Sequence, residues 1–435
     1  MILAPIDRSE RIRGIDIARG IALLGIIFVN ARFFFAPIGI GTDMSQSLTG
    51  MDRSGADVVA AALVDIFCSY KFISLFSMLF GFGIAMQASR AAAAGESRWP
   101  GGLRRLAMLG FVGIVHATLV WYGDILTLYA MLGLVVLAVC GLPRRTVGWI
   151  CVGLAGVCLL IALLGAGLMA IGSMKALAPG AADSTAEAAA GPEVQRGLDA
   201  MLAASFDPGS PVWMAGETAA YREGPFLDAL LFRVVGFALG LVLALFSYGW
   251  QSLLMMVCGV YAFKAGLFGS EGSARRRALA LPLLGAGLAL SSVAVLPGVF
   301  LGTEQIAGLI AYGLLLPVGA MVLPFAYAAI FIEWGPRLPA AVATALERTG
   351  RMSFTVYLSE SIVCTALSYW WGLTWFRTLG DAQAALTVFL VWLGLVCFAT
   401  AWLAVFRIGP FEWLWRKATY AGGTGSPRSP RPNPA

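Results

Sequence analysis

The sequence predicts an all-α protein: a polytopic helical membrane bundle of about ten transmembrane helices with both termini cytoplasmic. Three observations carry that expectation. Of the 435 residues, 59% are hydrophobic and 12% charged, and the mean hydropathy is +0.82, outside the range of soluble globular chains. The apolar runs are about 20 residues long, the length of a helix that crosses hydrocarbon, whereas barrel strands would alternate over short segments. Arginines cluster at the ends of those runs, as the positive-inside rule requires of a multi-pass membrane protein.

Arg8, Arg11, Arg13 and Arg19 place the N-terminus inside, and the first span runs outward from Ile15 to about Phe35. That run is too long, and lacks the small-residue site, to be a removed signal peptide. Ala36 to Gly55 reads as an external loop and Ala56 to Phe67 as an amphipathic or partly inserted helix. Lys71 to Ala92 returns to a basic loop at Arg98, Arg104 and Arg105. The third span goes out through His116 and breaks at Trp121-Tyr122-Gly123; the fourth, Asp124 to Leu142, comes back to Arg144 and Arg145. Trp149 to Ile171 is the fifth. Ser173 to Gly224, rich in Ala, Gly, Pro and acidic residues, reads as an external polar loop with little packed structure.

Phe226 to Phe246 and Gln251 to Phe268 are both long enough to cross, yet two crossings would put Arg275-Arg276-Arg277 outside and invert every later basic cluster. Charge bias selects one crossing, with Phe226 to Phe246 interfacial, re-entrant, or the outer part of one bent helix. Leu279 to Phe300, Ile306 to Ile332, Ser353 to Thr374 and Ala384 to Val405 complete the bundle. Pro410 to Tyr420 reads as a Trp-rich interfacial helix, and the tail from 422 as disordered. The chain thus divides into a five-span half over 1–172 holding the candidate site, the loop over 173–224, a second half of the same membrane domain over 225–421, and the tail.

The net charge of +6 rests on arginine, since only Lys71, Lys175, Lys264 and Lys417 are lysines. Span ends account for it, so no nucleic-acid partner is implied. The seven cysteines lie in apolar stretches without paired ligand spacing, so neither a disulfide framework nor a metal site is expected. Phosphate-loop and zinc-protease motifs are absent from the sequence, which leaves ATP-driven transport and metalloproteolysis without support.

His116 is the only histidine. It lies 12 residues after Arg104, roughly 18 Å along a helix, in the outer half of the bilayer, and Gly110 and Gly113 on its face admit a close neighbour. Two readings fit: a buried histidine bonding a backbone carbonyl, or a general base, because neutral imidazole takes a proton near pH 7. Asp124, eight residues on, is either the N-cap of the next helix or the group that orients His116, and both can hold together. In the first span Asp16, Gly20, Leu23, Ile27 and Asn30 share a face. Arg13 and Arg19 flank Asp16, which suggests an ion-pair knot that can also meet phosphate. Lys71 is expected to snorkel at the outer surface. Glu360 projects inward with Tyr357 and is either functional or paired with an arginine.

These segments resemble the YeiB family, whose C-terminal part is known as domain of unknown function 418. The resemblance rests on Arg13-Gly-Ile-Asp16-Ile-Ala-Arg19-Gly20 with Asn30, Lys71-Phe-Ile-Ser-Leu-Phe, Gly113-Ile-Val-His116 with Gly123-Asp124 and Tyr129, Gly350-Arg351-Met-Ser-Phe-Thr-Val-Tyr357, and Gly409-Pro-Phe-Glu412-Trp-Leu-Trp-Arg416. That family is similar in turn to transmembrane acyltransferases, including heparan-alpha-glucosaminide N-acetyltransferase and the acyltransferase 3 group. The latter carry a histidine near the end of the first span, where this chain has Asn30, so the role of His116 rests on its own motif.

The resemblance implies a membrane acyltransferase with acetyl-CoA or another acyl-CoA as donor and a small-molecule or glycan acceptor on the outer side. His116 would be base or acyl carrier, with Asp124 orienting it; Arg13, Asp16, Arg19, Asn30 and Arg351 would meet the donor, and Lys71, Tyr129, Tyr357 and Glu360 would line the substrate path. The competing expectation is a proton-coupled transporter or flippase using His116, Asp124 and Glu360. Membrane lipids are expected partners, and a homo-oligomer is compatible with the sequence.

Overall fold

The computed structural model describes residues 12–42, 46–176, 194–301 and 306–420, and among them it contains helices and no strand. In chain order the helices are α1 (Arg13–Phe35), α2 (Ile38–Thr42), α3 (Gly55–Phe67), α4 (Lys71–Ala93), α5 (Arg98–Leu119), α6 (Leu126–Val139), α7 (Arg144–Ala176), α8 (Gly197–Ala203) and α9 (Pro211–Glu223). Then follow α10 (Phe226–Phe246), α11 (Tyr248–Lys264), α12 (Ser273–Leu301), α13 (Ile306–Trp334), α14 (Ala340–Arg351), α15 (Ser353–Ser368), α16 (Asp381–Val405) and α17 (Pro410–Tyr420). Eight described stretches are long and apolar enough to cross a membrane. The chain is an all-α polytopic membrane protein.

Of the expected spans, the fourth, sixth and ninth are short helices of 14, 17 and 16 residues. Asp124 sits in a non-helical turn before α6, and the chain leaves α15 at Ser368 for a turn that continues to Gly380. Helix α10, expected to be interfacial, re-entrant or the outer part of one bent helix, is a 21-residue apolar helix long enough to cross. It is separated from α11 at Ser247, whose φ of −140° and ψ of −114° interrupt the helix.

Charge sorts the bundle into two ends. At one, Arg13 pairs with Glu347 at 2.9 Å, Arg276 and Arg277 converge on Glu333 at 2.8 and 2.7 Å, and Arg105 stacks over Trp415. At the other, Arg32 pairs with Asp381 at 2.5 Å and Arg377 N–H donates to Phe35 O at 2.7 Å. Helix α11 runs beside α4 in the same direction: Gln251 bonds Ser74, and Phe263 meets Phe82 further along. Arg275-Arg276-Arg277 therefore returns to the basic end with Arg90, the parity that charge bias implied.

Glycines set the closest crossings. A Cβ on Gly20 would strike the carbonyl of Leu346 and one on Gly350 the carbonyl of Asp16, so α1 and α14 touch backbone to backbone. Gly81 and Gly259 do the same between α4 and α11. Without a hydrophobic drive between helices in lipid, such close approach supplies the packing energy.

Three sequence readings change. The segment 173–224, expected to carry little packed structure, contains α8 and α9, with Trp213 and Tyr221 fully buried; its part 177–193 and the tail from 421 lie outside the described residues. Ala340–Arg351, to which the sequence reading assigned no element, forms the amphipathic helix α14, packed on α1. Lys71 does not snorkel: it is fully buried and donates its ammonium to the main-chain carbonyl of Asp65. Asp65, bonded by Ser69 and Tyr312, is the buried carboxylate beside it that makes this burial tolerable.

Candidate active site

Helix α5 carries His116 in its last turns, and the chain then reverses through Trp121-Tyr122-Gly123. Trp121 Nε1 donates to Phe33 O at 3.3 Å, fixing the reversal against the end of α1. The turn brings Asp124 beside His116, Nδ1 to Oδ2 at 2.9 Å, both side chains buried. The other carboxylate oxygen, Oδ1, accepts from Thr127 N at 2.9 Å and Thr127 Oγ1 at 3.2 Å. The N-cap position of α6 is Ile125 and not Asp124; Asp124 Oδ1 nevertheless takes the Thr127 amide of the first turn, while Oδ2 meets the imidazole.

Gly113 makes room for this. A Cβ there would come within 2.6 Å of Thr127 N and 2.7 Å of Asp124 Oδ1. Since a carboxylate only accepts, the neutral ring of His116 carries its proton on Nδ1 and offers Nε2 as the acceptor. Nε2 is buried and has no hydrogen-bond partner. A buried acceptor left unmatched is costly, and such groups concentrate where a reaction needs them.

A cavity of about 1220 Å³ lies in front of the pair. Asp124, Ile125 and Tyr357 form its wall there, and His116 stands just behind them. The rings of His116 and Tyr357 are 5.5 Å apart. Two tyrosines reach this region with different commitments. Tyr129 is spent on protein: its hydroxyl meets Ser77 Oγ at 2.6 Å and Ile73 O at 3.2 Å. Tyr357 Oη accepts from Ile125 N–H at 3.3 Å, which leaves its own proton for the cavity.

The cavity extends from this wall to the basic end, where Arg19, Arg90, Arg98, Arg104, Arg105 and Arg416 line it. Of the residues expected to meet a donor, Arg19 and Asn30 line the cavity; Arg13, Asp16 and Arg351 do not. Asp16 and Arg19 do form the expected ion pair, at 3.1 Å, and Arg13 and Arg351 both face Glu347. Lys71 and Glu360 also lie off the cavity. Glu360 Oε1 is buried without a hydrogen-bond partner, and none of the ion pairs among the described residues involves Glu360, so the expected arginine partner is not found. Sequence reasoning missed the arginine set because Arg90, Arg98, Arg104 and Arg416 come from three helices that meet only in the fold; the signal available was the density of arginine near residue 100.

The fold and this geometry define a class: a helical membrane protein whose bundle encloses a cavity with Asp124 in its wall and His116 bonded to it from behind. Within that class the chain belongs to the family of YeiB, described as "Protein of unknown function (DUF418)", whose model matches residues 262–422. It is similar to the uncharacterized protein YxaH of Bacillus subtilis, 31% identical over 427 residues and 96% of each chain. It is also similar to the uncharacterized protein YeiB of Escherichia coli, 28% identical over 416 residues, 94% of this chain and 96% of that one.

Proposed function

We propose that the chain is an acyltransferase of the bacterial cytoplasmic membrane. It moves an acyl group, acetyl in the simplest case, from cytoplasmic acyl-CoA to a hydroxyl or amine acceptor delivered to the other end of the bundle. The observation that carries this reading is one cavity with arginines at one end and, at the other, Asp124 in its wall with His116 bonded behind it. Arginine forks suit the phosphates of the donor, and a thioester carried along the cavity reaches the wall at Asp124 and Tyr357.

In the reaction the acceptor oxygen or nitrogen attacks the thioester carbonyl while His116 Nε2 takes its proton. Asp124 holds the imidazolium that forms. Tyr357, its oxygen already accepting from Ile125 N–H, donates to the carbonyl oxygen as negative charge develops there. The carbon–sulfur bond then breaks, and the proton on Nε2 passes to sulfur, so CoA leaves as the thiol. Because Nε2 is sealed in the resting wall, substrate binding must shift Tyr357 or the Asp124–Ile125 turn to uncover it.

The test is acetyl transfer from radiolabelled acetyl-CoA by the purified protein in nanodiscs of bacterial lipid. His116→Ala is expected to lose at least 10²-fold in rate; transfer at the parental rate by that variant would remove His116 from the mechanism. The orphaned oxygen of Glu360 favours a second reading, a proton-coupled transporter. Proton-driven uptake into vesicles without CoA, abolished by Glu360→Gln, would establish that reading instead.

A further inference from the structure

The same cavity has a second approach, from the side. Helix α10 forms one wall of it through Gly240, Leu243 and Ser247, while Met169 of α7 and Tyr312 of α13 line the facing side. Helices α7 and α13 pack on each other where Gly313 meets Ala166 and Met169. Helix α10 packs mainly on α5, α11 and the cap helices α8 and α9, and not closely on α7 or α13. A Cβ built on Gly240 meets nothing within 4 Å. The rim is apolar and faces outward: Leu243 is 52% exposed and Phe246 73% exposed. In a bundle of this length and apolarity those side chains face hydrocarbon.

Opposite the arginines Trp121 and Tyr122 line the cavity, both directed at Phe33 O, and Ile38 of α2, which lines it too, donates its N–H to Glu217 Oε2 of α9. An acceptor carried by the bilayer would not have to pass this end.

Resting on the acyltransfer reading above, we infer that the acceptor is a membrane lipid bearing a hydroxyl or amine head: its chain lies in the crevice between α10 and the α7–α13 pair, and its head reaches Tyr248 and Asp124. Tyr248 opens α11 at the inner end of the crevice, lines the cavity and lies within electrostatic reach of Asp124. The attacking atom of such a head arrives on the His116 side of the cavity while the thioester comes from the arginine side, so the two substrates do not compete for one mouth.

The experiment uses the full-length protein in nanodiscs made from total bacterial lipid, supplied with [14C]acetyl-CoA and a water-soluble sugar mixture. The label is expected in the chloroform-extractable fraction. Gly240→Trp and Leu243→Trp, both at lipid-facing or open positions, are expected to cut that transfer at least ten-fold while acetyl-CoA still raises the melting temperature of each. Label appearing only in the aqueous acceptors, or undiminished transfer by both Trp variants, overturns the crevice assignment and leaves the acyltransfer reading in place. Failure of acetyl-CoA to stabilise the parental protein at all, with no label transferred to either fraction, takes down the acyltransfer reading and the inference with it.

Discussion

Asp124 serves two partners through two oxygens, and the space for it is a missing side chain at Gly113. Gly113→Ala pushes a methyl into Thr127 N and Asp124 Oδ1, so the turn must move or the helices separate. The expected cost is about 1–3 kcal/mol of stability, the usual range for overpacking, read as a lower melting temperature, together with loss of transfer activity. A variant as stable and as active as the parent would show that the turn is not held there. The two tyrosines give a sharper contrast. Tyr357→Phe removes a hydroxyl proton left facing the cavity, which the proposed mechanism assigns to the carbonyl oxygen, and should lower kcat by about 10²-fold with little change in melting temperature. Tyr129→Phe removes a hydroxyl already bonded to Ser77 and Ile73, and should cost about 1 kcal/mol of stability while kcat holds. Equal kinetic effects would end the distinction drawn between them.

The cap formed by α8 and α9 shows how an element can be present and hard to read. Its segment is rich in Ala and Gly, without a long apolar run, and the signal that it packs is a few large residues: Trp213, Tyr221 and Met201, all buried. Helix α14 escaped for a related reason, since its twelve residues are amphipathic and short beside the spans. Glu217 holds the cap down, accepting from Trp213 Nε1 at 3.0 Å and from Ile38 N. Burial raises its carboxyl to about 8. A carboxyl whose folded value lies above its unfolded one is held neutral in the fold, so the stability it contributes is complete below about 4.5 and is lost as pH rises toward about 8. The cap should therefore loosen across that window, at a cost on the order of a few kcal/mol, seen as hydrogen exchange of α9 that speeds up with pH beyond its intrinsic rate. Glu217→Gln stays neutral throughout and keeps an acceptor for Trp213 and Ile38, so its exchange should lack that extra rise. The same extra rise in the Gln variant would assign the effect to another group.

At the scale of the whole molecule, what was legible in the sequence was what repeats locally. Apolar runs marked the spans, and arginine clusters marked one end so firmly that the direction of α11 followed from Arg275-Arg276-Arg277 despite the ambiguity of α10. His116 and Asp124 were legible because a turn of eight residues can join only near neighbours. The arginine-lined end of the cavity was not, because it assembles Arg19, Arg90, Arg104 and Arg416 from α1, α4, α5 and α17, and no local pattern records which helices will meet. Arg13 and Arg351, the more conspicuous motif residues, turn to Glu347 instead. That difference can be measured. Acetyl-CoA at 100 times its Kd should stabilise the protein by about 2.7 kcal/mol, and the shift should shrink with added salt, since the contacts are charged and reach solvent at the mouth. Arg90→Gln and Arg105→Gln remove cavity-lining guanidinium groups and should each reduce the shift several-fold. Arg13→Gln breaks a half-exposed ion pair worth at most about 1 kcal/mol, and the protein should keep the full ligand shift from its slightly lower baseline. If Arg13→Gln loses the shift and Arg90→Gln keeps it, the donor sits at the N-terminal motif and not in the cavity.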